Sequence, residues 1–269
     1  MSRTALLTGA NDGIGKAAAG KLASAGYHVM IFARREENCR KTAEELNAAY
    51  GDGTAAFYAG DVTSPEALQE AVRSTVSLFG SLDVLINCAA LQGAGTVLDV
   101  ELEDYDNMFR TNVMGYGLAA KAAIPELLKT PSPAIVNVAS LNGCIGTAGR
   151  TLYNCTKAAI IELTKSMACD FPTIRINCVS PGFTASESMM WGLEHSGFDA
   201  ETCARLISAG TLMKRMAQPS EIANVIAFLA SEEASYITGH NLVADGGALC
   251  YGNYDSELEQ YMKKGKREY

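Results

Sequence analysis

Tyr153 and Lys157 are four residues apart in a stretch of helical period, which puts both side chains on one face with Cβ atoms about 6 Å apart. An ammonium beside a phenol favours the phenolate, so such a tyrosine can pass a proton to or from an oxygen held against it. Moving its pKa from about 10 to near 7 requires about 4 kcal/mol of differential stabilisation. Taken alone, such a pair is more often a packing or surface feature. A second group lies near the N-terminus, where Thr8-Gly9-Ala10-Asn11-Asp12-Gly13-Ile14-Gly15 joins an apolar run to the helical run Lys16-Ala17-Ala18-Ala19. Glycines at 9, 13 and 15 allow a tight turn and close backbone approach. The helix that follows offers free N–H groups and its positive dipole end to a pyrophosphate. Gly9, Asn11, Asp12, Gly13, Ile14 and Gly15 are therefore candidate phosphate-binding residues.

About 20 residues beyond such a turn, a dinucleotide-binding fold carries an acid for a ribose 2′-hydroxyl or a base for a 2′-phosphate. Here the chain reads Ile31-Phe32-Ala33-Arg34-Arg35, with no acid at the strand end. Two guanidinium groups favour NADP(H) over NAD(H), since arginine stacks on adenine and binds phosphate. Arg35 has the alternative of pairing with Glu36, Glu37 or another surface acid. Asp12 opposes the assignment, because a carboxylate repels a nearby phosphate, unless it caps the first helix.

The elements that must position these residues are legible as apolar runs alternating with amphipathic stretches. Thr4–Thr8, His28–Ala33, Ala55–Ala59, Val84–Asn87, Ala134–Val138 and 175–179 read as strands, with 241–243 a last one. The stretches 14–27, 36–50, 65–79, 103–129, 152–170 and 219–231 read as helices. This pattern predicts an α/β fold, a Rossmann-type doubly wound parallel sheet with helices on both faces and right-handed crossovers. No linker divides the chain, so one domain is expected over 1–250, followed by a polar tail over 251–269. Residues 182–214 break the alternation and are expected to be irregular.

Taken in order, the motifs resemble the short-chain dehydrogenase/reductase family over 4–247. The glycine turn has that family's spacing, Asn87-Cys88-Ala89-Ala90 is similar to its Asn-Asn-Ala-Gly, and Tyr153 and Lys157 match its Tyr-x-x-x-Lys. Asp245-Gly246-Gly247 is similar to its C-terminal signature. The resemblance implies that Asp61 and Val62 sit against an adenine and that Asn87 and Ala89 line the cofactor. It implies that Ser140 gives a hydrogen bond to the substrate oxygen, that Asn112 supports a water-linked relay to Lys157, and that Lys157 also binds the nicotinamide ribose. Pro181 and Gly182 follow the sixth strand as the family requires, and Thr184 and Ser186 are candidates to contact the carboxamide, with Ser186 standing where the family has Thr. The implied reaction interconverts a secondary alcohol and a ketone by hydride transfer, with Tyr153 as general acid and base, its phenolate favoured by Lys157 and by the positive nicotinamide ring.

The 269-residue chain is 48% hydrophobic and 19% charged, with a net charge of −8. This excludes a disordered chain and argues against a nucleic-acid partner, and no apolar run approaches the roughly 20 residues that span a bilayer. The first apolar run is too short for a secretion signal, and eight cysteines without a CxxC pair read as small buried hydrophobes in a reducing, cytoplasmic setting with no metal. Substrate choice is expected in 183–214, where Met189, Met190, Trp191, Leu193, Phe198, Leu206, Ile207, Leu212 and Met213 suit a bulky apolar alcohol or ketone such as a hydroxysteroid or bile acid; Trp191 is the first candidate. The same residues can equally serve packing. One alternative is a 3-oxoacyl thioester on an acyl carrier, disfavoured by the acidic balance and Asp170 unless Lys121, Lys129 or Lys165 form a basic patch. Another is a non-catalytic NADP(H) sensor. The resemblance implies a homo-oligomer, dimer or tetramer, joined through the long helices 103–129 and 152–170.

Overall fold

In the computed structural model, which describes residues 2–194 and 199–251, the apolar runs form seven strands: β1 (Thr4–Thr8), β2 (His28–Ala33), β3 (Ala55–Ala59), β4 (Val84–Asn87), β5 (Ala134–Val138), β6 (Arg175–Pro181) and β7 (Asn241–Ala244). They build one parallel sheet in the order β3-β2-β1-β4-β5-β6-β7. The helices are α1 (Gly13–Ser24), α2 (Glu36–Tyr50), α3 (Pro65–Phe79), α4 (Leu102–Phe109), α5 (Gly115–Leu127), α6 (Thr151–Asp170), α7 (Glu187–Glu194), α8 (Ala200–Ala209), α9 (Pro219–Ala230) and α10 (Ala248–Tyr251). Side chains alternate across the sheet, so both faces need cover. Leu7, Val29, Ile31, Ile86 and Val136 pack with Leu22, Leu46 and Ile226 on one side, while Leu6, Met30, Leu85 and Ile135 pack with Leu68, Ala123 and Met167 on the other. The strand order reverses between β1 and β4, which opens a crevice at their C-terminal ends.

Three expectations change. The stretch 103–129 is not one helix: a π-turn, Arg110–Met114, separates α4 from α5. At its exit Gly115 passes so close to β3's following segment that a Cβ would lie 2.9 Å from Val62 Cγ2. The extra residue of the π-turn carries Asn112 to complete burial. Residues 182–214, expected to be irregular, contain α7 and α8. Asp199 caps α8 by accepting from the Thr202 N–H at 2.8 Å, and Leu193, Cys203 and Ile207 form a small core with Phe183, Met189 and Met216. Helices of eight and ten residues hold too few turns for their period to stand out in sequence. The cysteines also divide: Cys39, Cys178 and Cys203 are buried, but Cys155, Cys169 and Cys250 are exposed, and none of the eight is joined in a disulfide.

Among the described residues no group of His, Cys, Asp and Glu could hold a metal ion, and no helix is long and apolar enough to cross a membrane. Beyond Tyr251 the expected tail lies outside the described residues, as does Phe198.

Candidate active site

The glycine turn follows β1 at the crevice. Gly9 has φ +66°, and a Cβ there would lie 2.7 Å from the backbone of Ala89; a Cβ on Gly15 would run into the carbonyl oxygen of Gly9. Only glycine allows this turn to fold so tightly against the exit of β4. Asp12 has extended backbone at the N-cap of α1, but its side chain makes no capping bond. Its carboxylate instead pairs with Arg35 Nη2 at 2.6 Å. One ion pair thus answers both questions the sequence raised: Arg35 is spent on an acid, and the charge of Asp12 is countered before it meets a phosphate. The first-turn N–H groups of α1, including those of Ile14 and Gly15, keep the orientation that suits an anion. Arg34 leaves the end of β2 with 68% of its side chain exposed, 4.0 Å from the Asp61 carboxylate. Asp61 is oriented by the N–H and hydroxyl of Thr63, both at 2.8 Å, and Val62 is buried beside it. Tight glycine backbone, an uncapped helix start and an exposed arginine fit a phosphorylated dinucleotide.

The other wall comes from β5 and α6. Ser140 opens a 3-10 turn, Leu141–Gly143, and its Oγ accepts from the Asn142 N–H at 3.2 Å. This turn presses onto α6 so closely that a Cβ on Gly143 would lie 2.7 Å from the carbonyl of Lys157. Gly143 is a positioning residue that sequence reading missed. Lys157 is 2% exposed; its Nζ donates to Val138 O at 2.9 Å and lies 5.6 Å from the centre of the Tyr153 ring. Burial lowers Lys157 to about 8. Burial also pushes Tyr153 up to about 12, against the hydrogen bond of Ser140 and the charge of Arg150, which lower it, while Cys88 adds to the rise. The expected fall of the tyrosine pKa is therefore not a property of the chain's own groups, because desolvation outweighs the charges around the hydroxyl.

Asn112 holds neighbouring segments together through its amide. Nδ2 donates to Leu91 O at 2.9 Å and to Thr156 Oγ1 at 3.1 Å, and Oδ1 accepts from the Leu91 N–H at 2.7 Å. These bonds tie the segment after β4 to α6 beside Lys157. Asn87 is likewise buried: Nδ2 donates to Asn137 Oδ1 at 3.0 Å, so its side chain lies inside the sheet. Ala89 meets Gly9 through its backbone, and Ala90 keeps a negative φ, so the missing glycine costs no strain. Pro181 ends β6, and a Cβ on Gly182 would lie 2.7 Å from Asp245 Cα. Thr184 is buried and donates to Gly182 O at 3.2 Å; Ser186 accepts from the Met189 N–H at 3.3 Å and borders Gly13. This segment therefore reaches the glycine turn. Trp191 lies on α7, but its side chain is outside the described set.

Tyr153 lines a cavity of ≈ 230 Å³ with Leu91, Gln92, Gly93, Ala94, Gly95, Val100, Asp104, Asn107, Met108, Arg150 and Leu152. None of these residues comes from 183–214, the stretch in which substrate choice is expected and of which 195–198 lie outside the described residues. The apolar side chains that drew attention to 183–214 include Leu193, Met189 and Ile207, which pack on one another. The available signal was the irregular run after β4, with Gly93 and Gly95 at a strand's C-terminal end.

The family model described as enoyl-(acyl carrier protein) reductase matches residues 9–248. The chain is 34% identical to a 3-oxoacyl-[acyl-carrier-protein] reductase FabG of Staphylococcus aureus, over 92% of this chain and 98% of that one. A substituted actinorhodin polyketide ketoreductase with NADPH has a TM-score of 0.87 at 30% identity, covering 92% of this chain and 97% of its own. ElxO with NADP bound has a TM-score of 0.85 at 34% identity, covering 93% and 100%. The motif order, the sheet and these matches agree, and the chain belongs to the short-chain dehydrogenase/reductase family.

Proposed function

We propose that the protein is an NADP(H)-dependent oxidoreductase that interconverts a ketone and a secondary alcohol. The observation that carries this reading is the meeting of Ser140, Tyr153 and Lys157, with Tyr153 on the wall of a cavity. The turn, Arg34, Asp61 and the segment from Pro181 to Ser186 hold the dinucleotide, which supplies or accepts the hydride when bound. In reduction, Tyr153 gives its proton to the carbonyl oxygen, and the Ser140 hydroxyl donates a hydrogen bond to the same atom. Lys157, anchored on Val138 O, supplies positive charge behind the tyrosine. Asn112 acts as a positioning residue through Leu91 and Thr156. The complete Ser-Tyr-Lys set favours an enzyme over a sensor.

Arg34→Ala is expected to raise KM for NADPH by about 10- to 100-fold while leaving NADH within about threefold, the scale of a lost charge-assisted hydrogen bond. Equal losses for the two cofactors remove the 2′-phosphate role. The pH dependence follows from the two shifts. Lys157 is charged below about 8 and loses its charge above, whereas Tyr153 keeps its proton to about 12. Reduction should therefore lose about tenfold in kcat/KM per pH unit above that lysine value. A flat profile between about pH 7 and 10 excludes the lysine charge from the step.

The substrate we propose is a ketone of modest size, because the cavity is ≈ 230 Å³ and Gln92, Asn107 and Arg150 are among its lining. A hydroxysteroid gains no support from these walls. A 3-oxoacyl thioester is the second reading, favoured by the likeness to the staphylococcal reductase. Against a carrier-docking patch, Lys129 pairs with Glu126 and Lys165 with Glu162. An oligomer joined through α4 has support in Leu102, Tyr105 and Phe109, which share one helix face and stay exposed. NADPH absorbance assays across simple ketones, 3-oxoacyl thioesters and steroids test the reading: turnover of the first two classes is expected, and inertness toward every ketone overturns it.

A further inference from the structure

The geometry points to Arg150 as the residue that recognises an anionic group on the substrate, so that the preferred ketone carries a carboxylate or similarly compact anion a few bonds from its carbonyl carbon. This rests on the oxidoreductase reading above and names the substrate class of that site. Arg150 is the N-cap of α6 and precedes Tyr153 by three residues, so the two side chains belong to one turn and line one cavity. A substrate whose carbonyl oxygen meets Tyr153 must place its neighbouring atoms within reach of the guanidinium.

The guanidinium is held ready. Arg150 is half-buried, and Nη1 donates to Gly93 O at 3.0 Å. The same two segments are fastened by Gly95 N–H to Gly149 O at 2.7 Å and Thr151 N–H to Gly95 O at 3.2 Å. A guanidinium has five N–H donors in a fixed fork that matches a carboxylate, and the bond to Gly93 uses one of them. Pre-ordering removes much of the entropy cost of closing that fork on a ligand.

Several other arginines have their charge countered locally. Arg35, Arg40, Arg73 and Arg215 each pair with a carboxylate, in a chain whose acids outnumber its basic residues by 30 to 22. No carboxylate among the described residues lies within ion-pair distance of Arg150. The acid that shares the cavity, Asp104, is engaged at the start of α4, where Oδ2 accepts from the Glu101 N–H at 2.9 Å. The arginine field does reach the reacting group, since it lowers the Tyr153 pKa against burial. A substrate anion would satisfy the guanidinium and be oriented by it.

The test compares a 3-oxo carboxylate with its methyl ester as ketone substrates for the full chain with NADPH. The wild type is expected to favour the carboxylate. Arg150→Gln, whose amide can still donate to Gly93 O, is expected to lower the carboxylate-to-ester ratio of kcat/KM by about 10- to 100-fold, mainly through KM. The ratio cancels any change in Tyr153 acidity, which acts on both ketones. An unchanged ratio, or a wild type that favours the ester, overturns the inference while leaving the oxidoreductase reading intact. If neither ketone is reduced, the wider ketone panel decides the oxidoreductase reading, and calorimetric titration of the 3-oxo carboxylate into NADP-saturated protein still decides the anion site. Binding that is lost in Arg150→Gln supports it, and equal binding overturns it. Matched thermal melts of the two proteins separate either result from misfolding.

Discussion

Tyr153→Phe is expected to lower kcat for ketone reduction by about a thousandfold or more, while NADPH binds within about twofold of its wild-type affinity. The change removes one hydroxyl and keeps the ring, so the cavity wall and the packing near Lys157 remain. No neighbouring group can replace the lost proton. Lys157 is held on Val138 O, its charge 5.6 Å from the ring centre rather than at the hydroxyl position. The proposed bond of Ser140 to the oxygen stabilises an alkoxide without protonating it. The proposed cofactor contacts lie on the glycine turn, Arg34 and Lys157, all untouched. Steady-state rates with a fluorescence titration of NADPH check both halves; residual kcat within tenfold of the wild type would contradict the assignment.

Gly15→Ala is expected to cut NADPH affinity by about a hundredfold or more and to destabilise the protein by about 1–3 kcal/mol, as over-packing of a close backbone contact does. The added methyl meets the Gly9 carbonyl and lies 2.9 Å from Ala10 Cα, and neither is a flexible side-chain end. The turn cannot retreat, because Gly9 is itself pressed against the Ala89 backbone. Gly20→Ala is the control on the same helix: its Cβ would meet Leu46 Cδ2 at 3.8 Å, an ordinary contact, and helix propensity favours the change by up to about 1 kcal/mol. Equilibrium NADPH binding and thermal melts compare the two. Equal NADPH affinity in both variants would remove the cradle from the cofactor site.

Legibility followed locality. The strands at Thr4–Thr8 and Ala134–Val138 stand where their apolar runs predict, because a parallel strand buried on both faces has no other composition open to it. Tyr153 and Lys157 share α6 because four residues make about one turn. The helices α7 and α8 escaped notice because their cover is mutual and short-ranged, and the cavity escaped because its walls come from 91–108 and 150–153, two stretches with little periodicity in common.

The sequence by itself determined the β-α order, the glycine turn and the placing of Tyr153 and Lys157 on one helix, since each depends on spacing along the chain. Only the tertiary structure decided that Asp12 spends its charge on Arg35, that Asn112 braces Leu91 and Thr156, and that Arg150 faces the same cavity as Tyr153. It also decided that burial holds Tyr153 at about 12 and Lys157 at about 8. Desolvation and long-range hydrogen bonds depend on what packs around a group from distant parts of the chain, and one-dimensional spacing carries no measure of that.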